Sequence, residues 1–402
     1  MVESNLISSI QAQGLFSFSP KSTPLALGSL NVLIGPNGAG KSNLIEVLEL
    51  LRAAPTDFVQ AIREAGGVDD ILWKGKTVLR FAAVRMGYRY YVQDENFILN
   101  SKWIERTYSL GFSSKGGYPQ ISSEAIGPYS DDVSRIHPEA SYALQAGNPI
   151  IRNKSVGKAI LIDKESIRLD QSILSQRKDP ISFPELAWLS DHIFGRIQTF
   201  REWTFGRGTA VRRAQATDLP TDYLLPHGAN LALVLAEILH KDDAQFNELM
   251  RRFLPRFKRL TTRVVTGAMT YYLHEDGLSE PVSSYRLSDG TLRFLALLAV
   301  LLAPSPPSLL CIEEPELGLH PDAVALMAEL LVEVSQRTQL IVTTHSDTLV
   351  SALSAHVDSV VVCENLGAGT EMRRLDPDKL ANWLETYQLG EVWRAGRIGG
   401  NP

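Results

Sequence analysis

"LNVLIGPNGAGKSNLIEVLELLRAA", residues 30–54, is the stretch that decides the fold. Residues 30–34 read as a short buried strand. Residues 44, 45, 47, 48 and 51 place apolar side chains on one face of a helix. Between them, Gly35 to Ser42 satisfy G-x-x-x-x-G-K-[ST]. Strand, glycine loop and helix in that order make a phosphate cradle. The glycines let backbone N–H groups curl around phosphate oxygens, Lys41 supplies a cation to the β- and γ-phosphates, and the Ser42 hydroxyl can ligate Mg²⁺ at a helix N-terminus. Gly35, Pro36, Asn37, Gly38, Ala39, Gly40, Lys41, Ser42 and Asn43 are therefore the expected loop for ATP, with Ser42 also on the metal.

A second stretch, "LLCIEEPELGLHP" at 309–321, ends an apolar run in carboxylates. A buried parallel strand carries functional side chains at its C-terminal edge, where the sheet meets the phosphate-binding crevice. This makes 309–313 a Walker B strand, with Glu313 as the metal-side carboxylate and Glu314 as the base that positions or deprotonates the attacking water. Glu316 reads more readily as a solvated acid favouring a helix start.

Two further motifs narrow the class of nucleotide hydrolase. "LSDGT" at 287–291 stands immediately before a strongly apolar helix, where a helix N-terminus can bind a γ-phosphate. By itself Ser-Asp-Gly is also an ordinary turn and N-cap. "QLIVTTHSD" gives an apolar strand that ends at His345, one βα unit after the acids.

"IGPNGAGKSN", "LSDGT", "CIEEPELGLHP" and "TTHSD", in that order, resemble the ABC-type ATPase heads of the RecF/SMC group. They are similar above all to compact bacterial ATPases related to the overcoming-lysogenization-defect (OLD) nucleases, a likeness that extends to "GGVDDILWKG" at 66–75 and "WLETYQLGEVWRAGRIGG" at 383–400. The resemblance implies a P-loop NTPase of ABC-ATPase type and a homodimer with ATP sandwiched between subunits. Ser288, Asp289 and Gly290 would then act in trans as the signature motif, "ELGLHP" would be the D-loop, and His345 would contact the γ-phosphate. It also implies a separate effector protein, TOPRIM-like nuclease included, in DNA repair or defence against phage. Glu313 departs from the usual Asp, and the Q-loop glutamine has only Gln60 and Gln93 as candidates.

Around these motifs the chain divides into an N-terminal part of the ATPase core (1–76), an antiparallel β subregion (77–175), a helical insertion (176–262) and a C-terminal core part (263–402). The β subregion is read from runs such as "TVLRFAAVRMGYRYYVQ" and "KAILIDKESIRLD". The insertion is read from "GANLALVLAEIL" and "DAQFNELMRRFLPRFKRL". After 286 a βα alternation predicts a largely parallel sheet, so the fold class is α/β with a mixed-sheet core. No repeat or long heptad run is present, which excludes coiled-coil arms.

Composition agrees with a globular chain: 402 residues, 44% hydrophobic, 21% charged and a formal net charge of −5. Two cysteines in apolar runs, Cys311 and Cys363, exclude a disulfide framework, and no apolar run reaches membrane length. A cytoplasmic protein without membrane attachment is expected. Local DNA contact has two basic candidates: Arg251, Arg252, Arg256, Lys258 and Arg259 in one stretch, and Arg207, Arg212 and Arg213 in another. A solvated helix face explains them equally well. Two other readings of the chain remain open, the ATPase subunit of a transporter and a nucleotide-binding switch without turnover.

Overall fold

The computed structural model describes residues 5–75, 81–92, 102–128, 137, 139–145, 148–153 and 158–401. Its central sheet runs in the order Ile197–Phe200, Leu309–Glu313, Gln339–Thr343, Leu30–Ile34, Val360–Asn365 and Thr370–Arg374. Every neighbouring pair is parallel except the last, which is antiparallel. The predicted βα alternation after residue 286 is therefore present, and the sheet is mixed.

Alternation along the strands explains why they are apolar throughout. Leu30, Val32, Ile34, Leu310 and Ile312 pack on one side with the helices Leu231–Phe253, Asp289–Leu301 and Pro321–Val334. Leu33, Leu309, Cys311 and Ile341 face the other side, against the helix Lys41–Ala53 and the second sheet. A sheet covered on both faces has no solvent-facing register, so alternation gives way to continuous hydrophobicity. Both thiols are buried and free, and burial pushes their pKa well above the ordinary value.

The second sheet is antiparallel, in the order Leu25–Ala26, Ile7–Gln13, Phe81–Val92, Lys102–Lys115, Tyr118–Gly127, Tyr142–Gln145, Asn148–Asn153 and Lys158–Leu161. The expected β subregion thus recruits two strands from residues before 30. Ile7–Gln13 pairs along most of its length with Phe81–Val92, and its inward Ile7, Ile10 and Ala12 are buried with that sheet.

Residues 176–262 are only partly helical, which corrects the reading of this segment as a helical insertion. Ile197–Phe200 is an edge strand of the central sheet, parallel to Leu309–Glu313. The helix expected over "DAQFNELMRRFLPRFKRL" stops at Phe253. Leu254, which precedes Pro255, is extended (φ −129°, ψ 96°), as the ring of a following proline demands. The chain then forms the hairpin Phe257–Val265 with Ala268–Glu275.

The antiparallel sheet is held to the segment after it by buried polar networks. Glu185 accepts hydrogen bonds from Arg106 Nε (2.7 Å) and Nη2 (2.6 Å), from Tyr88 Oη (2.6 Å) and from the Ser141 hydroxyl. Glu124 accepts from Tyr108 Oη (2.7 Å), Ser172 Oγ (2.5 Å) and the Ile173 amide (2.9 Å). A buried ion pair contributes little net stability, but removing one partner strands the other charge. Arg106→Ala should therefore lower unfolding free energy by about 3–5 kcal/mol, measured by urea denaturation followed by tryptophan fluorescence. A loss below about 1 kcal/mol, the scale of an exposed pair, would show that Glu185 is not isolated from water.

Candidate nucleotide site

The P-loop strand Leu30–Ile34, the acid-bearing strand Leu309–Glu313 and the strand Gln339–Thr343 run parallel, with Val32 opposite Val342 and Ile312 opposite Val342. Their carboxyl ends therefore reach one edge of the sheet. Gly35, Glu314 and Thr344 each continue one of these strands, so the loop, the acids and the histidine converge there.

Backbone shape and lack of space together require glycine at two positions of the P-loop. Gly35 (φ 150°) and Gly40 (φ 96°) have left-handed backbone, and a Cβ at either would run into the Cys363 carbonyl or the Thr370 hydroxyl. Behind the loop, Thr370 Oγ1 donates to the Ala39 carbonyl (3.0 Å) and contacts Ser17 Oγ (2.6 Å), which accepts from Asn43 Nδ2 (2.7 Å). Asn43, expected among the ligand contacts, thus uses its amide to brace the loop. Pro36, Asn37, Gly38 and Ser42 are exposed, whereas Ala39 and Gly40 are buried. Lys41 Nζ donates to the carbonyls of Gly35 (2.6 Å) and Pro36 (3.1 Å). Burial pushes the Lys41 pKa below its usual value, against the pull of Cys363, Glu314, Glu313 and Glu316.

Glu313 Oε2 accepts from Arg201 Nε at 3.0 Å, while Oε1 is buried with no hydrogen-bond partner among the described residues. An orphaned carboxylate oxygen, together with an exposed serine hydroxyl at the start of the P-loop helix, is a donor set of the hard oxygen kind that Mg²⁺ prefers. The residues present fit that ion. Glu314 begins a turn with φ 43°, a left-handed conformation uncommon outside glycine. Its amide donates to the Thr343 carbonyl (3.0 Å), and its carboxylate is about one-third exposed, 3.6 Å from His345 Nε2. Burial, and then the Lys41 ammonium, push the His345 pKa below its ordinary value despite Glu314. That direction favours the neutral imidazole.

Glu316 differs from its expected solvated position. It is buried, accepts from Thr344 Oγ1 (2.6 Å) and the His345 amide (3.0 Å), and burial raises its pKa. Its place is behind His345, as a support.

The LSDGT stretch lies elsewhere. Ser288 caps the helix Asp289–Leu301 by accepting from the Thr291 amide (3.1 Å), and with Gly290 and Thr291 it lines an open cleft of about 370 Å³ together with Gly318, Leu319 and His320. No residue from 35–43 lines that cleft. Arg212 supports this region from inside. Its buried guanidinium donates to the carbonyls of Phe205 (2.7 Å), Tyr285 (3.1 Å) and Leu287 (2.6 Å), and to Asp289 Oδ1. This corrects its reading as a phosphate contact. Of the other basic residues, Arg252, Arg256 and Lys258 face Glu329, Glu275 and Asp276, whereas Arg207, Arg213, Arg251 and Arg259 are exposed. Gln60 is exposed and donates to Glu64 (2.8 Å), and Gln93 lies outside the described residues.

Residues 30–79 and 149–351 match the family model described as "AAA domain, putative AbiEii toxin, Type IV TA system". The chain belongs to this AAA-domain family. Its fold is that of the ABC-type ATPase heads of the RecF/SMC group. An Smc head bound to the C-winged helix domain of ScpA superposes with a TM-score of 0.55 at 14% identity, covering 93% of this chain and 99% of that one. An Smc head domain with an extended coiled coil, from Pyrococcus furiosus and bound to the C-terminal domain of ScpA, gives 0.55 at 13% identity, covering 94% and 98%. At such identities the fold is what is shared. No curated protein matches in sequence. Among the described residues, no helix of this family member is long and apolar enough to cross a membrane.

Of the residues singled out in the sequence, the structure brings the loop, the acids and the histidine to one sheet edge and sets the LSDGT turn at a separate cleft. Sequence reading missed Arg201, which carries no motif and follows a four-residue strand, and it misassigned Arg212. The turn at Glu314 gives a test of the geometry. Glu314→Gly should be more stable than Glu314→Ala by about 1 kcal/mol, because only a residue with a Cβ is strained at this φ. Thermal melts of the two variants decide it, and an alanine variant as stable as the glycine one would refute the left-handed turn.

Proposed function

We propose that the chain is an ATP-hydrolysing switch whose two sites are completed by dimerisation. The observation that carries the reading is the convergence of Lys41, Ser42, Glu313, Glu314 and His345 on one sheet edge, while Ser288 and Gly290 face a different cleft. Within one chain the second half of the site is missing. A second copy turned to face the first supplies it, with the P-loop of each subunit opposite the signature of the other.

In this reading Lys41 leaves the Gly35 and Pro36 carbonyls for the β- and γ-phosphates of ATP. Ser42 and Glu313 would hold Mg²⁺, which would supply charge neutralisation on the phosphates. Glu314 takes the proton of the attacking water, aimed by its left-handed turn. Neutral His345 donates a hydrogen bond to the γ-phosphate, and Glu316 fixes the backbone from which it does so. Ser288 and Gly290 close over the γ-phosphate in trans, with Asp289 held by Arg212. Closing in ATP and opening after hydrolysis would control a separate effector protein. The motif resemblance to the OLD group favours a nuclease, in DNA repair or anti-phage defence, while the description of the matched family names a putative toxin of a type IV TA system. The exposed basic residues leave DNA as a further partner.

Glu314→Gln keeps the shape of the side chain but cannot accept a proton. It should bind ATP as the wild type does, hydrolyse it at least about 100-fold more slowly, and accumulate as a dimer in ATP. Phosphate release and light scattering measure both, and unchanged turnover would move the base elsewhere.

Mixing tests the trans arrangement. Lys41→Ala and Ser288→Arg homodimers should both be inactive. In a heterodimer of the two, both defects fall in one site and the other site is intact, so a one-to-one mixture should regain about a quarter of wild-type activity under random pairing of a two-fold dimer. A mixture that stays inactive while native mass spectrometry shows heterodimers would refute independent trans sites.

A further inference from the structure

Arg201 follows the edge strand Ile197–Phe200, and the pairing of Phe200 with Ile312 carries it to the level of Glu313. Its guanidinium uses three nitrogens on three carboxylates. Nε donates to Glu313 Oε2 at 3.0 Å, Nη1 to Glu49 Oε2 at 3.1 Å and Nη2 to Glu46 Oε1 at 2.9 Å. Thr199 Oγ1 holds the remaining oxygen of Glu49 at 2.8 Å. Ser42, Glu46 and Glu49 lie at i, i+4 and i+7 of the P-loop helix, which is one stripe of its surface. One guanidinium therefore joins the acid-bearing strand to the helix that carries the metal-side serine.

The two oxygens of Glu313 are consequently unequal. Oε2 is clamped by Arg201, and Oε1 is buried and accepts from nothing among the described residues. A carboxylate held by one oxygen has its rotamer fixed and presents the other in a set direction, which is how outer groups orient a metal ligand. Building on the ATP reading above, we propose that Arg201 is the positioning residue of the Mg²⁺ site, holding Glu313 through Oε2 so that Oε1 faces the cation bound with the nucleotide. Lysine cannot replace it, since an ammonium is a point charge without the planar fork that reaches three carboxylates at fixed angles. Without a cation at this position Glu46, Glu49 and Glu313 repel one another, and the Glu313 side chain loses its fixed direction.

The test separates metal from nucleotide. A fluorescent ATP analogue is titrated with the full chain, first in EDTA and then at rising Mg²⁺, and the Mg²⁺ concentration at half-maximal enhancement of binding is read. Arg201→Lys and Arg201→Ala should raise that midpoint about tenfold or more, the usual effect of removing a group that orients a metal ligand, while affinity in EDTA stays within about twofold, below the resolution of a meaningful free-energy change. Glu46→Gln with Glu49→Gln, which loosens the guanidinium from the helix but keeps its bond to Glu313, should shift the midpoint the same way by less. An unchanged midpoint in both Arg201 variants overturns the proposal. So does an equal loss of affinity with and without Mg²⁺, the signature of a general structural role. Circular dichroism identifies a misfolded alanine variant, in which case the lysine variant decides. Wild type that binds no nucleotide in either condition would overturn the ATP reading itself, a result distinct from failure of the Arg201 variants alone.

Discussion

Parallel strands in register must end together, and the rest of this molecule depends on that. The pairing of Val342 with Val32 and of Ile312 with Val342 brings the segments 30–34, 309–313 and 339–343, the first of them far from the other two in sequence, to one height. A slip of one residue would invert every side chain and send the acids away from the loop. Register is enforced from both faces, because each strand buries alternate side chains in two different clusters. The apolar core is in this sense the alignment device of the site.

Charge at that edge is balanced by geometry more than by number. Lys41 rests on two carbonyls, Arg201 gathers three carboxylates, and Glu316 Oε1 receives a hydroxyl and an amide, while its Oε2 is buried without a partner among the described residues. Burying a charge is costly unless hydrogen bonds compensate it. Lys41 and Arg201 meet that condition, which leaves Glu313 Oε1, Glu316 Oε2 and the half-buried Glu314 carboxylate as the acidic oxygens not engaged by a hydrogen bond among the described residues. The P-loop is likewise braced from behind by Thr370, Ser17 and Asn43, so its shape does not wait for a ligand.

Much of this was readable in the sequence because local spacing encodes it. A P-loop needs its glycines and lysine within eight positions, and the acids Glu313 and Glu314 stand together where their apolar strand ends. Arg201 could not be read in this way. It lies 112 residues from Glu313, and its strand of four residues includes Gln198 and Thr199, too short and too polar to register as a core element. Arg212 misled for the opposite reason. It sits in a basic run that suits phosphate contact, yet three backbone carbonyls inside the protein claim it. Glu316 looked like a helix-start acid, and only the tertiary approach of Thr344 reveals its buried role. The helix end at Phe253 was legible in Pro255 but was overridden by the amphipathic pattern that runs past it.

The hydrogen bonds around Glu316 also act mechanically. Glu314 donates its amide to the Thr343 carbonyl at 3.0 Å, and Glu316 receives the Thr344 hydroxyl at 2.6 Å and the His345 amide at 3.0 Å. Three bonds stitch the turn after one strand to the turn after its neighbour. The two turns therefore travel as one lever. A force on the exposed residues Leu317 and Gly318, which follow Glu316 in the first turn, would be carried through these bonds to the backbone of His345 in the second.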